Sequence, residues 1–357
     1  MNSFPIIKNL YWCLLLVLHS AAICSSDHRI GQYELIETIV NPCNSYTLIN
    51  SVDFHPKENI FCVTFTQCNR IDIYKINEQE NVILLQTISN PLARLNAPQH
   101  AVFSHDGKYI VAMNWVKQEL SLYQLENEEY SLTPTSIIRS LKVLKNHKPH
   151  GITVSPCGRF LVIAFGASNL YPRAIALYDI GHHFVNLTLV KILQENELPS
   201  GIPKGVTFTK DGKCLVVSFA DPDSLAIYDI AKNKMKVSLK LKQIVTGNAT
   251  DISRPEDIKI SSDGNFCAIS NSDKKSVSFF PFDSIENRIL NNKPSLILKD
   301  EKANFAFPHG LAFSPDGSYF VVTQFGEIEA LDNGDVKWSS QAPPDKAKIH
   351  IFKIKRP

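Results

Sequence analysis

Alternating apolar and polar positions, followed by a short turn and a near-continuous apolar run, recur six times along the chain. The segments are NSVDFHPKENIFCVTF (50–65), QHAVFSHDGKYIVAMN (99–114), HGITVSPCGRFLVIAF (150–165), KGVTFTKDGKCLVVSF (204–219), EDIKISSDGNFCAISN (256–271) and HGLAFSPDGSYFVVTQ (309–324). Their starts lie 49, 51, 54, 52 and 53 residues apart. The period-two half of each segment predicts a strand, A, and the apolar run a second, more buried strand, B. The turn between them has a mechanism: in Ser314-Pro315-Asp316-Gly317, Pro presets φ, Asp caps through its side chain and Gly takes positive φ. A third strand, C, follows in every unit (Ile71–Ile76, Leu120–Leu125, Ile175–Ile180, Leu225–Ile230, Val277–Phe282, Ile349–Ile354). A more polar fourth strand, D, comes after it, as at Val82–Ile88, Leu187–Leu193, Met235–Leu241 and Ser295–Leu298.

Four antiparallel strands per unit of about 50 residues predict an all-β, six-bladed β-propeller. The last unit stops at strand C, and an unassigned strand, Gln32–Ile39, precedes the first unit. Pairing that strand as the outer strand of the last blade closes the ring and removes exposed edges. A seven-bladed count is the alternative. The expected organisation is a leader over 1–26 and one propeller over 27–357, with a long insertion at 325–347. PHGLAFSPDGSYFVVT, PHGITVSPCGRFLVIAF and AISNSDKKSVSFFPF resemble blade motifs of the YVTN-type, lactonase-like (6-phosphogluconolactonase-like) β-propeller superfamily. The resemblance runs through nearly all of 33–354 and implies a fold shared by 6-phosphogluconolactonase-like enzymes, surface-layer repeats and proteins with no known activity, so it does not fix function.

Composition narrows the classes. With 37 basic and 35 acidic side chains the net charge is +2, which predicts no strong field for nucleic acid or an anionic membrane. GxxxxGK[ST] and GxGxxG are absent from the sequence, which argues against a phosphate-cradling loop. Lys8, the apolar run Leu10–Leu18 and the small residues Ala21, Ala22, Ser25 and Ser26 follow the order of a secretory signal. That run is too short to span a bilayer, so a secreted or periplasmic, non-integral protein is expected, as a monomer. Cys43, Cys62, Cys68, Cys157, Cys214 and Cys267 lie beyond the leader, with no CxxC and no zinc spacing, and read as structural thiols. CxxCH and quinoprotein Trp repeats are missing, which disfavours a redox-cofactor propeller.

Aligning the repeats yields two rings. The residues just before strand A are Asn50, Gln99, His150, Lys204, Glu256 and His309, five of them preceded by Pro. The residues ending strand B are Phe65, Asn114, Phe165, Phe219, Asn271 and Gln324. Both rings are expected at the channel mouth formed by the D–A and B–C loops. His150, His309 and Glu256 are the candidate catalytic set, while Asn50, Gln99, Lys204, Asn114, Asn271, Gln324 and Trp338 are candidate ligand contacts. No cofactor is expected. A divalent cation on Glu256, Asn271, Asn114 and Asn50 is disfavoured because the set contains a single acid. The reading preferred from sequence is an exported binding module for a protein, glycan or small molecule. The alternative is a lactonase-like hydrolase of a sugar lactone, with His150 or His309 activating water and Lys204 holding an anionic group.

Overall fold

A computed structural model describes residues 31–355 except 44, 46, 140, 142–146, 167–170, 182–183, 185–186, 234–235, 327, 331–335 and 339–343. The expected leader, 1–26, therefore lies outside the described residues, as does part of the insertion expected at 325–347. Six antiparallel sheets of four or five strands follow one another along the chain. Their inner strands, A, are Ile49–Phe54, Pro98–Phe103, Pro149–Val154, Ile202–Phe208, Pro255–Ile260 and Phe307–Phe313. Each A strand adjoins the next and the sixth adjoins the first, so the ring is closed around an axis. The propeller has six blades.

The closure has the expected architecture. Gln32–Val40 pairs antiparallel with Lys348–Lys355, Leu35 opposite Phe352 and Val40 opposite Lys348, and completes the sixth sheet as its outer strand. One correction concerns cysteine: Cys43 and Cys68, expected as thiols, form a disulfide. Cys43 follows that outer strand of blade six and Cys68 lies in the B–C turn of blade one, so the bridge ties the two ends of the ring together. Cys62, Cys214 and Cys267 are buried free thiols, and Cys157 is an exposed one.

The apolar faces meet between blades. Six buried clusters sit at the successive interfaces, for example Val162, Leu177 and Phe219 between blades three and four, or Phe279, Phe320 and Phe352 between five and six. The fourth residue of each C-strand motif (Tyr74, Tyr123, Tyr178, Tyr228, Phe280 and Phe352) is buried in these layers. The A–B turns obey their chemistry: Asp316 Oδ1 accepts from Ser314 Oγ and the Ser318 N–H, and Gly317 has φ 71°.

Candidate functional site

The six residues aligned ahead of strand A lie inside it, at its start, where every A–B pairing changes register. A register break of this kind re-aims side chains. The next residue is Gly in three blades (151, 205 and 310), and a Cβ there would fall 2.3 Å from Lys204 O, 2.6 Å from the Asp257 Cα and 2.8 Å from Asn50 O respectively. Inner strands therefore approach closely enough for residues of four blades to share one point.

That point is the Glu256 carboxylate. Its Oε2 lies 3.1 Å from His150 Nε2, 3.2 Å from Lys204 Nζ and 3.6 Å from His309 Nε2, while Oε1 lies 3.6 Å from Arg254 Nε. Glu256, His150, Lys204 and His309 are all buried. Burial alone would push the Glu256 carboxyl up, but the Lys204 ammonium and the hydrogen bond from His150 outweigh it and hold the carboxyl well below the usual range. Burial, then the Lys204 charge, lowers His150, and burial pushes His309 down to about 4 although Glu256 opposes the shift. Both imidazoles are thus neutral at neutral pH.

The His309 tautomer follows from its partner. Nδ1 lies 2.6 Å from the Asn50 carbonyl, which can only accept, so Nδ1 carries the hydrogen and Nε2 presents its lone pair toward Glu256. The ring stacks on Phe325 at 4.3 Å, and Phe325 stacks in turn on Phe307. Lys204 and Arg254 thus both face the Glu256 carboxylate, and Asp273 lies close enough to act on Arg254 and Glu256 as well. His150, Glu256 and His309 could offer three metal ligands within 4.8 Å of one another. The Lys204 ammonium, however, already stands against the oxygen that such an ion would share, so the residues fit a metal poorly.

The other predicted residues divide. Asn50 Nδ2 donates to Thr66 Oγ1 and, at 3.0 Å, to Gln99 Oε1, making a neighbouring polar pair. Asn50 Oδ1 is buried with no partner among the described residues. The strand-B ring behaves differently. Asn114 Oδ1 accepts the Asn96 N–H and its Nδ2 donates to Ser121 Oγ; Asn271 does the same with Ser253 and Ser278; Gln324 accepts from the Ala306 N–H and donates to Lys346 O. In all three blades the amide captures the N–H two residues before a Pro and so pins the D–A loop. Asn114, Asn271 and Gln324 therefore each hold a D–A loop. Trp338 lies in a short strand, Val336–Trp338, paired with Ile328–Ala330, and its side chain is outside the described residues. Arg254 and Phe325 were missed. Arg254 could have been sought as the residue before Pro255, where a left-handed φ of 46° turns the loop into strand A.

Fold and site together define a six-bladed β-propeller with a charged cluster where four inner strands converge. The family model described as "Lactonase, 7-bladed beta-propeller" matches residues 49–254, and the chain belongs to that family, with six blades in place of the seven in its description. No curated protein matches the chain. Among solved structures, the periplasmic gluconolactonase of Pseudomonas aeruginosa is 14% identical, with TM-score 0.57 over 86% of this chain and 88% of that one. A putative 6-phosphogluconolactonase of Bacteroides fragilis is 15% identical, with TM-score 0.57 over 90% and 98%. A luciferin-regenerating enzyme is 14% identical, with TM-score 0.60 over 91% and 95%. At these identities the likeness is one of fold.

Proposed function

We propose that the protein is a lactone hydrolase, acting on a sugar-acid lactone at the Glu256 cluster. The observation that carries this reading is the His309 imidazole, fixed by the Asn50 carbonyl so that a neutral Nε2 faces an ionised carboxylate beside Lys204. Nε2 is placed to take a proton from water as it adds to the lactone carbonyl, and Glu256 would then stabilise the imidazolium. The negative charge that develops on the carbonyl oxygen needs a donor, and Lys204 and Arg254 supply two. His150, hydrogen-bonded to Glu256, holds the carboxylate in place. The protonated His309 can return its proton to the leaving hydroxyl as the ring opens. Family membership and the gluconolactonases among its structural relatives support the same class. This is the alternative of the sequence reading, and it is now preferred over the binding module.

Burial of the cluster to 4–6% exposure favours one competing reading, a rigid binding mouth without turnover. A pH-stat assay of the full chain on D-glucono-1,5-lactone separates them. Wild type should exceed the spontaneous rate and Lys204→Met should lose at least about 100-fold; ring opening no faster than buffer for a panel of sugar-acid lactones would reject the enzyme. We also place the protein outside the cytoplasm. The signal-like order of residues 8–26 and the Cys43–Cys68 disulfide, a bond suited to oxidising compartments, support this. No helix among the described residues is long and apolar enough to cross a membrane.

A further inference from the structure

The opposite end of the channel, on the A–B turn face, holds a cavity of roughly 350 Å³. Five successive blades line it, through Asp53, Val102, Thr153, Thr207 and Lys259, each three residues on from the ring that builds the Glu256 cluster. Its walls divide by chemistry. Asp53 presents a carboxylate whose Oδ2 accepts the Phe103 N–H at 2.9 Å. That bond fixes the group in the cavity wall, within reach of the Lys259 charge. Lys259 presents an ammonium held only loosely, 3.5 Å from Asp257 Oδ1, while both Asp257 oxygens already accept backbone N–H groups from Ile258 and Leu311. Thr153 and Thr207 also line the wall, and Phe54, Phe208 and Pro156 supply an apolar side.

An acid and a base in one small cavity with an apolar wall match a ligand carrying both charges and an apolar body. A pure anion would meet Asp53, and a pure cation would meet Lys259. We propose that this cavity is a binding site for a small zwitterion, an α-amino acid with an apolar side chain, its ammonium on Asp53 and its carboxylate on Lys259. The site is independent of the lactone reading, since it shares no residue with the Glu256 cluster. Its volume suits a single residue-sized ligand, because useful small-molecule pockets start near about 300 Å³.

The test is isothermal titration of the full-length protein at pH 7.5 with leucine, with leucinamide, which keeps only the ammonium, and with 4-methylpentanoate, which keeps only the carboxylate. Leucine should bind at least about tenfold more tightly than either half-ligand, because each lost charge leaves one wall group unpaired. Asp53→Asn, which retains an acceptor for Phe103, should weaken leucine and leucinamide but not 4-methylpentanoate, which is relieved of a like charge. Lys259→Met should weaken leucine and 4-methylpentanoate but not leucinamide, and it decides the matter alone if Asp53→Asn fails to fold. His309→Gln should bind leucine as wild type does. Leucine binding no tighter than the half-ligands, or equal in wild type and Lys259→Met, overturns the proposal.

Discussion

At the scale of single residues, identical repeat positions carry unequal duties. The buried C-strand tyrosines show it. Tyr123 Oη donates to Ala93 O at 2.6 Å, whereas Tyr178 Oη and Tyr228 Oη are buried without a partner among the described residues. Tyr123→Phe should therefore cost about 1 kcal/mol, while Tyr178→Phe and Tyr228→Phe should be neutral or stabilising, because a buried unpaired hydroxyl is itself a penalty. Urea midpoints of the three variants check this, and an equal loss in all three would contradict it. Titration belongs at this scale too. Burial pushes His350 and His309 down to about 4, below the ordinary histidine value, so the unfolded chain binds more protons across roughly pH 4–6.5. Stability contributed by the neutral rings is full above that window and falls as pH drops through it. Asp53, pushed up to about 6 by burial, acts in the opposite sense over much of the same range. Two histidines outweigh one aspartate, so melting temperature should fall on acidification from pH 7 to 4.5, and more steeply in Asp53→Asn. A flat profile would contradict the burial of these rings as neutral groups.

At the scale of elements, strand pattern and turn chemistry were legible because both are local: apolar alternation, Asp-Gly turns and a spare N-terminal strand are written within a few residues of one another. The polar positions opening strand A were legible as a set, and four of them, His150, Lys204, Glu256 and His309, do meet. What was not legible is what a side chain finds across a blade. Asn114 and Asn271 read as mouth ligands, yet each pins a loop, and the clue was a Ser seven residues on in both cases, Ser121 and Ser278. The Cys43–Cys68 bridge was hidden for the same reason, since the partners belong to different blades and only ring closure brings them together. The bridge closes a separation of 25 residues, for which chain entropy predicts about 3.5 kcal/mol of stabilisation. Reduction, or Cys43→Ser with Cys68→Ser, should lower the unfolding free energy by about that amount without changing the fold seen by circular dichroism. An unchanged denaturation midpoint would remove the bridge from the account of closure.

At the scale of the molecule, closure is what makes the site. Each of the six inner strands is held by two neighbours, and His309 from the last blade is oriented by the Asn50 carbonyl of the first. Anything that opens the seam between blades six and one should thus disturb the cluster before it disturbs distant blades. Removal of residues 31–40 strips the outer strand from blade six and should lower the melting temperature of the whole ring in a single transition. A variant that melts as wild type does would refute closure by that strand. The central claim is that His309 works on chemistry rather than on packing, and the most direct measurement pairs turnover with stability in His309→Gln. The account predicts that lactone hydrolysis by the full chain falls at least about 100-fold, while the melting temperature moves only a few degrees, because the substitution removes little from the packing beyond the stack on Phe325. A variant that melts far earlier yet still turns over lactone at the wild-type rate would contradict it.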